Sequence, residues 1–203
     1  MWNLMWTWKQ PKIDRQKLLV WQRVNHFSNA KQLTRKDMLC KHLSRIRKLQ
    51  KSNHDDYNIM PQSFVIPQDY TEFAAAFTNN ININKNIWIM KPTCSSRGRG
   101  IKLIDNMGDV SHSEEMVIQK YIENPLLLNG YKFDLRLYVL VTSVCPLEAF
   151  LYHEGFARIC TEKFTLDSNL LYNKLIHLTN TAIQQYSANG SNRMHISSLK
   201  EVL

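Results

Sequence analysis

A strand-like segment that carries three charges on one face constrains the fold of this chain more than any other feature. Within Gln119–Leu140, Lys132, Asp134 and Arg136 are spaced two residues apart, so their side chains point to the same face of a β-strand. The opposite face is apolar and consists of Phe133, Leu135, Leu137, Val139 and Val141. The pattern predicts a buried strand, in which an unpaired charge is costly. Either a bound polyphosphate with its metal or an internal ion pair beside a solvated lysine would satisfy these charges, and both alternatives remain open.

A glycine-containing loop lies upstream between two short predicted strands. The strand Ile87–Pro92 includes Lys91, the sequence TCSSRGRG follows, and a second strand is predicted over Ile101–Ile104. Gly98 and Gly100 allow positive φ, and successive N–H groups in such a loop can bind an anion. The loop matches neither a P-loop nor a dinucleotide-binding fingerprint. Taken alone, it is typical of an ordinary hairpin.

Composition restricts the class of protein. With 203 residues, of which 44% are hydrophobic, the chain can bury a core as one domain or as two unequal lobes. Its cysteines lack C-x-x-C spacing and are interpreted as reduced thiols of a cytosolic protein rather than a zinc site. They are Cys40, Cys94, Cys145 and Cys160. The sequence shows neither a signal peptide nor a run of about 18 apolar residues, which argues against a membrane span.

Positive charge is concentrated near the N-terminus. The net charge is +9, and residues 1–60, with 13 Lys and Arg against 4 Asp and Glu, account for all of it. Thr34 is predicted to cap a helix that extends to Lys51, with Asp37 in the first turn. Its inner face contains Leu39, Leu43, Ile46 and Gln50, with Leu49 beside it, and its outer stripe contains Lys41, Arg45 and Lys48.

The basic stripe of this helix, Lys41, Arg45 and Lys48, has three interpretations. It can be a solvated face, a surface that docks an acidic peptide, or a nucleic-acid contact. Nucleic acid is the least favoured of these, because the sequence contains no aromatic RNA-binding motif, zinc finger or recognition helix.

The predicted elements divide the chain into three parts. Residues 1–33 form a partial N-terminal lobe, residues 34–117 a central lobe with the basic helix, and residues 118–203 the incomplete start of a second sheet lobe. Polar linkers are predicted at residues 52–58 and 79–86, and the tail 188–203 is expected to bury little. The other predicted elements are strands near Ser63–Ile66, Val117–Tyr121, Phe133–Val144, Leu147–Tyr152 and Phe156–Cys160, and a helix over Thr71–Phe77.

Five motifs occur in an order that is far more specific than any one of them. They are KPTCSSRGRGI, VIQKYIENPLL, GYKFDLRLYVLVTS, EGFAR and HLTN. Together with the N-terminal WNLMWTW, WQRVNHF and LTRKDMLCKHL, they resemble the tubulin-tyrosine-ligase-like family, particularly its polyglutamylase branch, from Trp2 to about Tyr186. The resemblance implies an α+β, ATP-grasp-like fold with the nucleotide between two sheet lobes, and with the C-terminal part of the grasp missing.

The resemblance also implies where the nucleotide binds. The residues expected to contact the phosphates are Lys91 and Lys132, and Arg97 and Gly98 on the glycine loop. The adenine lies against a hinge strand formed by Gln119, Lys120, Tyr121 and Ile122. The remaining residues of the nucleotide pocket are Phe133, Asp134, and Thr179 and Asn180 of HLTN. Asp134 is expected to bind the ribose or a phosphate-bound water.

Catalytic and substrate residues are assigned in the same way. Arg136 is placed near the γ-phosphate, and Lys36 near the phosphates or the acidic substrate. Arg158 is expected to bind the carboxylate of the incoming amino acid, with Thr181 and Arg97 also at the substrate. The family often has Tyr-Ser after HLTN, where this chain has Thr-Ala, which leaves glutamate and glycine both open as that amino acid. The packing residues, without a role in proton transfer, are expected to be His26, Tyr121, Tyr131 and His177.

The magnesium ligands of the family lie in a last segment, an aspartate-bearing strand followed by a Glu-x-Asn strand. After Tyr186 the chain reads SANGSNRMHISSLKEVL and contains neither. The sequence therefore predicts that ATP and Mg²⁺ are the cofactors, that the magnesium ligands are not present in this chain, and that the chain is a piece of a longer ligase.

Three functions follow as hypotheses. The first is an ATP-dependent ligase that adds L-glutamate to glutamate side chains of acidic tubulin tails. The second is a microtubule-binding protein that does not catalyse ligation, and the third is nucleic-acid binding. The expected protein is a monomer of the cytoplasm and cytoskeleton, with the cilium or basal body as further locations and without a membrane partner.

Overall fold

The computed structural model describes residues 2–49, 57–79, 86–110, 114–187 and 192–203. It has two compact units, Met1–Tyr57 and Asn58–Leu203. The strands are β1 Leu4–Met5, β2 Arg23–Val24, β3 Ser63–Ile66, β4 Trp88–Pro92, β5 Lys102–Ile104, β6 Met116–Lys120, β7 Leu127–Leu128, β8 Tyr131–Arg136, β9 Val139–Val144, β10 Leu147–Leu151, β11 Phe156–Lys163 and β12 Arg193–His195. The α-helices are α1 Lys31–Thr34, α2 Lys36–Leu49, α3 Tyr70–Asn79, α4 Lys174–His177, α5 Thr181–Gln184 and α6 Ile196–Val202. Within these described ranges, no helix is long and apolar enough to span a membrane.

The first unit contains the basic helix in two pieces. The prediction that Thr34 caps it is wrong, because Thr34 ends α1 and its hydroxyl bonds back to the carbonyl of Ala30 at 3.0 Å. Arg35 is extended between α1 and α2 and donates to the buried Asp37, whose pKa that hydrogen bond lowers. The stripe Lys41, Arg45 and Lys48 is exposed, as predicted. The predicted linkers lie mostly outside the described residues, as does Gln50.

The first sheet of the second unit is antiparallel, in the order β3-β6-β4-β5. One face packs against α3 through a buried aromatic cluster, in which the rings of Phe73 and Trp88 meet edge to face at 5.2 Å. Because side chains alternate along a strand, the other face carries Ile89 and Lys91 of β4 and Gln119 of β6. That face is therefore free of α3 and forms one side of the candidate site.

The second sheet, β12-β11-β8-β7, is covered on one face by α6, where Leu199 packs with Leu128 and Ala157. The expectation that the tail buries little is therefore wrong at Asn192 and Leu199, which are buried, whereas most of residues 192–203 are exposed. The predicted strand over Phe133–Val144 is also divided, because β8 pairs with β11 whereas β9 pairs with β10.

The predicted burial of the apolar face of this segment is wrong beyond Phe133. The side chains of Leu135, Leu137 and Val139 are 49%, 48% and 58% exposed, respectively. The β9–β10 hairpin forms a separate two-stranded sheet.

All four cysteines are free thiols, as predicted.

Candidate nucleotide and carboxylate site

Lys132 is held at the centre of the second unit by neutral oxygen atoms. Its Nζ donates to the Tyr121 hydroxyl at 2.9 Å and to the His177 carbonyl at 2.7 Å, and it lies 4.6 Å from the centre of the Tyr121 ring. Burial lowers the pKa of this lysine. A largely desolvated ammonium group on the inner face of β8 is well suited to bind a phosphate.

The Tyr121 hydroxyl also lies 3.1 Å from Nδ1 of His177. Because Lys132 donates to this hydroxyl, the tyrosine proton is available for donation to the histidine nitrogen. Burial first, and Lys132 second, lower the pKa of His177 to about 4, and burial raises the pKa of Tyr121. His177 is 1% exposed, so the prediction of a packed histidine is confirmed. Within the described residues, its Nε2 has no hydrogen-bond partner.

The buried neutral histidine makes stability depend on pH. The folded pKa of about 4 lies below the unfolded value of about 6.5, so unfolding takes up a proton below pH 6.5. The contribution of His177 to stability is therefore full above pH 6.5 and is lost as the pH falls towards 4, by up to about 3 kcal/mol. Urea unfolding at pH 7, 6 and 5 should show a smaller pH slope for His177→Asn than for the wild type. The exposed His195→Asn is the matched control, and an equal slope in all three proteins would contradict this prediction.

Asp134 forms a bidentate ion pair with Arg158. The Arg158 Nε donates to one carboxylate oxygen at 2.8 Å and its Nη2 donates to the other at 2.5 Å, where the Thr179 hydroxyl also donates at 2.9 Å. The hydrogen bond to Asp134 raises the pKa of Arg158. Of the two alternatives left open by the sequence, the structure shows the internal ion pair, whereas the lysine beside it is half-buried and bonded to protein oxygens rather than solvated. Binding of a polyphosphate stays a prediction.

Three arginines meet at an open cleft of about 530 Å³. Arg97 comes from the glycine loop, Arg136 from the end of β8 and Arg158 from β11. The cleft is lined by Ser96, Arg97, Arg136, Arg158, Asn180, Thr181, Ala182 and Gln185. Five of the residues assigned to nucleotide or substrate binding therefore lie around one space, and its positive charge suits phosphate or carboxylate groups.

The glycine loop reaches this cleft because Gly98 packs directly against the segment after α4. Gly98 has φ +81°, and a Cβ at that position would lie 2.4 Å from Cδ1 of Ile183 and 3.0 Å from Oδ1 of Asn180. The positive φ favours glycine here, and a larger residue would also have to displace the side chain of Ile183. The loop also forms part of a neighbouring cavity of about 370 Å³.

Lys91 and Gln119 lie on the sheet face that points towards Tyr121. The Lys91 Nζ donates to Oε1 of Gln119 at 2.7 Å, and the Gln119 amide donates to the Ser63 hydroxyl at 2.8 Å. Tyr121 follows Gln119 by two residues and so shares its face. Lys91 therefore lies on the same face of the first sheet as Tyr121, and Lys132 of the second sheet contacts Tyr121 directly.

Three other assigned residues of the second unit, Lys120, Ile122 and Phe133, do not line the cleft, and a fourth assigned residue, Lys36, belongs to the first unit. Lys120 points to the α3 side, where it contacts Trp88 and pairs with Glu123. Ile122 is 56% exposed, and Phe133 packs against the α6 face of its sheet. Lys36 begins α2 in the other compact unit. The roles assigned to these residues stay predictions.

Two residues of this region were not identified from the sequence. Gln184 is 1% exposed, and its amide group bonds α5 to both β11 and the end of α4. Arg193 lies on β12, directly opposite Arg158. Neither residue belongs to a recognisable motif. The position of Arg193 beside Arg158 becomes evident only when β12 pairs with β11.

Comparison with known proteins agrees with the motifs. Residues 12–201 match the model of the tubulin-tyrosine ligase family. This chain belongs to the tubulin-tyrosine ligase family. It is 42% identical over 186 residues to tubulin polyglutamylase TTLL5 of Mus musculus, which covers 91% of this chain and 14% of the relative.

Other polyglutamylases of the family are similar. The probable tubulin polyglutamylase TTLL2 of Homo sapiens is 39% identical over 191 residues, covering 92% of this chain and 32% of the relative. The probable alpha-tubulin polyglutamylase Ttll1 of Tetrahymena thermophila is 37% identical over 219 residues, covering 92% of this chain and 52% of the relative. This chain thus spans between about a seventh and about half of the length of these relatives.

Proposed function

We propose that this chain carries nucleotide- and amino-acid-binding residues of an ATP-dependent ligase that adds glutamate to glutamate side chains of tubulin tails. The observation that carries the proposal is the cleft where Arg97, Arg136 and Arg158 meet, together with the half-buried Lys132 on the same face of β8 as Arg136. The similarity of this chain to tubulin polyglutamylases supports it.

The chemistry of such a ligase has two steps. The γ-phosphoryl group of ATP is transferred to the acceptor carboxylate, which gives an acyl phosphate and ADP. The amino group of glutamate then attacks the acyl carbon, phosphate leaves, and the amine proton is released as the amide bond forms. Both steps need cations where charge develops on phosphate oxygens. They also need the acceptor carboxylate and the incoming glutamate to be held in fixed positions.

The residues of the site match these needs. Lys91 and Lys132, on facing sheets, would bind the phosphates in an ATP-grasp-like arrangement. Arg136 would stabilise the charge on the transferred phosphoryl group. Arg158 uses two of its five N–H donors for Asp134, which leaves donors for the carboxylate of the amino acid. Thr179 donates to the same oxygen of Asp134 as Arg158 Nη2, which helps to hold the carboxylate and the paired guanidinium in one orientation.

Magnesium is the usual counter-ion of the phosphates in such a site, where one or two carboxylates hold it together with phosphate oxygens and water. Within the described parts of the chain, no group of three or more His, Cys, Asp or Glu could hold a metal ion. Both oxygens of Asp134 already accept hydrogen bonds. No step is therefore assigned to a metal here, and the placement of its ligands outside this chain stays a prediction.

Binding of an ATP analogue, of labelled glutamate and of a glutamate-rich tubulin-tail peptide tests the proposal. The purified chain should bind all three, and Arg136→Met should weaken binding of the ATP analogue about tenfold or more, because a cation at the phosphates is lost. Lys200→Met, which removes an exposed charge from α6, is the matched control. Unchanged binding of the analogue by Arg136→Met, or a folded wild-type chain that binds neither the analogue nor glutamate, would contradict the proposal.

A location on the cytoskeleton follows from this substrate. The docking of an acidic tail on Lys41, Arg45 and Lys48, a cilium or basal-body location, and a monomeric state stay predictions.

A further inference from the structure

Arg193 extends the positive surface of the cleft beyond the assigned residues. β12 pairs antiparallel with β11, and Arg193 lies directly opposite Arg158, which in turn lies opposite Asp134 of β8. Directly opposed residues share a face of the sheet, with their Cβ atoms about 4.5–5.5 Å apart. Asp134, Arg158 and Arg193 therefore form a row across three strands on the face that borders the cleft.

This row has more positive than negative charge. Asp134 neutralises Arg158, whereas no carboxylate within the described ranges forms an ion pair with Arg193. The row therefore keeps one positive charge, on Arg193, that no carboxylate of the described residues compensates, and a bound anion would compensate it.

Two contacts orient Arg193 towards the cleft. Its Nη2 donates to the hydroxyl of Thr181 at 3.4 Å, and Thr181 is part of the cleft wall. Its guanidinium carbon lies 5.2 Å from the centre of the Phe156 ring, a distance at which a cation is attracted to the ring face. The side chain thus lies along the sheet at the rim of the cleft, beside Arg158.

We propose that Arg193 binds the second carboxylate of the incoming amino acid, so that the Arg158–Arg193 pair selects a dicarboxylic amino acid over glycine. This inference rests on the proposed function. Glutamate carries its two carboxylates at the ends of a short carbon chain, which matches two guanidinium groups on neighbouring strands. Each arginine presents a planar fork of donors that fits one carboxylate, and glycine offers only one.

The amino acid is favoured over a side chain of the acidic acceptor as the source of this carboxylate. Arg193 is adjacent to Arg158, the residue assigned to the amino-acid carboxylate, and it contacts Thr181, which belongs to the same assigned subsite. An acceptor-binding residue would change the binding of the peptide and not of the free amino acid.

Equilibrium dialysis with labelled L-glutamate and labelled glycine tests the inference. The wild-type chain, Arg193→Met, Arg193→Lys and the control Lys200→Met are each saturated with a non-hydrolysable ATP analogue, and binding of the analogue is measured in parallel. Binding of a glutamate-rich acceptor peptide is measured in the same set of proteins. Circular dichroism and thermal unfolding show whether each variant is folded.

The expected result is that Arg193→Met weakens glutamate binding about tenfold and changes glycine and ATP-analogue binding less than twofold. Arg193→Lys, which keeps the charge without the planar fork, should lie between the wild type and Arg193→Met, and this graded effect separates ligand binding from loss of structure. The inference is overturned if Arg193→Met binds glutamate as tightly as the wild type, or if only peptide binding weakens. A wild-type chain that binds neither the ATP analogue nor glutamate would overturn the proposed function as well.

Discussion

Replacing Lys132 with methionine is expected to weaken ATP binding by about 100-fold while the chain remains folded. A charge-assisted hydrogen bond to a phosphate contributes about 1.5–3 kcal/mol, and the low-polarity surroundings of Lys132 place it near the upper end. Methionine keeps most of the volume of the side chain and removes its charge. The variant therefore tests the cation and not the packing around Tyr121.

The expectation depends on where the ammonium group is held. In the structure it is fixed by the Tyr121 hydroxyl and the His177 carbonyl, and burial lowers its pKa. Removing this ammonium charge from water costs free energy, and the neutral oxygens around it compensate that cost only in part. A bound phosphate would compensate the rest. The affinity of the wild type should accordingly fall as ionic strength rises, and the affinity of the variant should depend less on salt.

Titration with a fluorescent ATP analogue measures the effect. Lys163→Met removes an exposed lysine from the far end of β11 and is the matched control. Thermal unfolding of both variants checks that the second unit is intact. An ATP affinity of Lys132→Met within threefold of the wild type would show that Lys132 does not contact the nucleotide.

The sequence was informative where local pattern and chemistry coincide. The two-residue spacing of Lys132, Asp134 and Arg136 correctly places them on one face of β8, because alternation of side chains depends only on the strand geometry. Elements with a strong local signal, such as β3 and α3, also lie where the pattern predicts them.

Contacts between distant segments could not be predicted in this way. The pairing of Asp134 with Arg158 depends on the register of β8 against β11, which no local pattern specifies. The division of the strand after Arg136 has the same cause, since β9 changes its partner to β10. The burial of Leu199 and the position of Arg193 both follow from the pairing of β12 with β11.

Gln184 is the strongest case of a role that only tertiary structure reveals. Within α5 it resembles any polar residue of a short helix, yet its side chain is 1% exposed. Its carbonyl oxygen accepts from the backbone N–H of Thr161 at 2.9 Å and from the hydroxyl of Thr161 at 2.6 Å. Its amide nitrogen donates to the carbonyls of Leu175 at 3.1 Å and Leu178 at 2.6 Å.

Replacing Gln184 with leucine should therefore lower the free energy of unfolding by about 2–4 kcal/mol. The substitution leaves a backbone N–H and two carbonyls buried without partners, and each such group costs about 1–3 kcal/mol, partly recovered by local relaxation. Because Asn180, Thr181 and Ala182, at the start of α5, line the cleft, the same variant should also weaken binding at the site.

Urea unfolding at neutral pH measures the stability change. Gln185→Leu makes the same chemical substitution at the adjacent, exposed position and should change stability by less than about 0.5 kcal/mol. If the two variants were equally stable, the amide group of Gln184 would not be what holds α4 and α5 to the sheet. The positions of Thr179 and Asn180 would then depend on the packing of Leu178 and Ile183 against Leu103 and Tyr121.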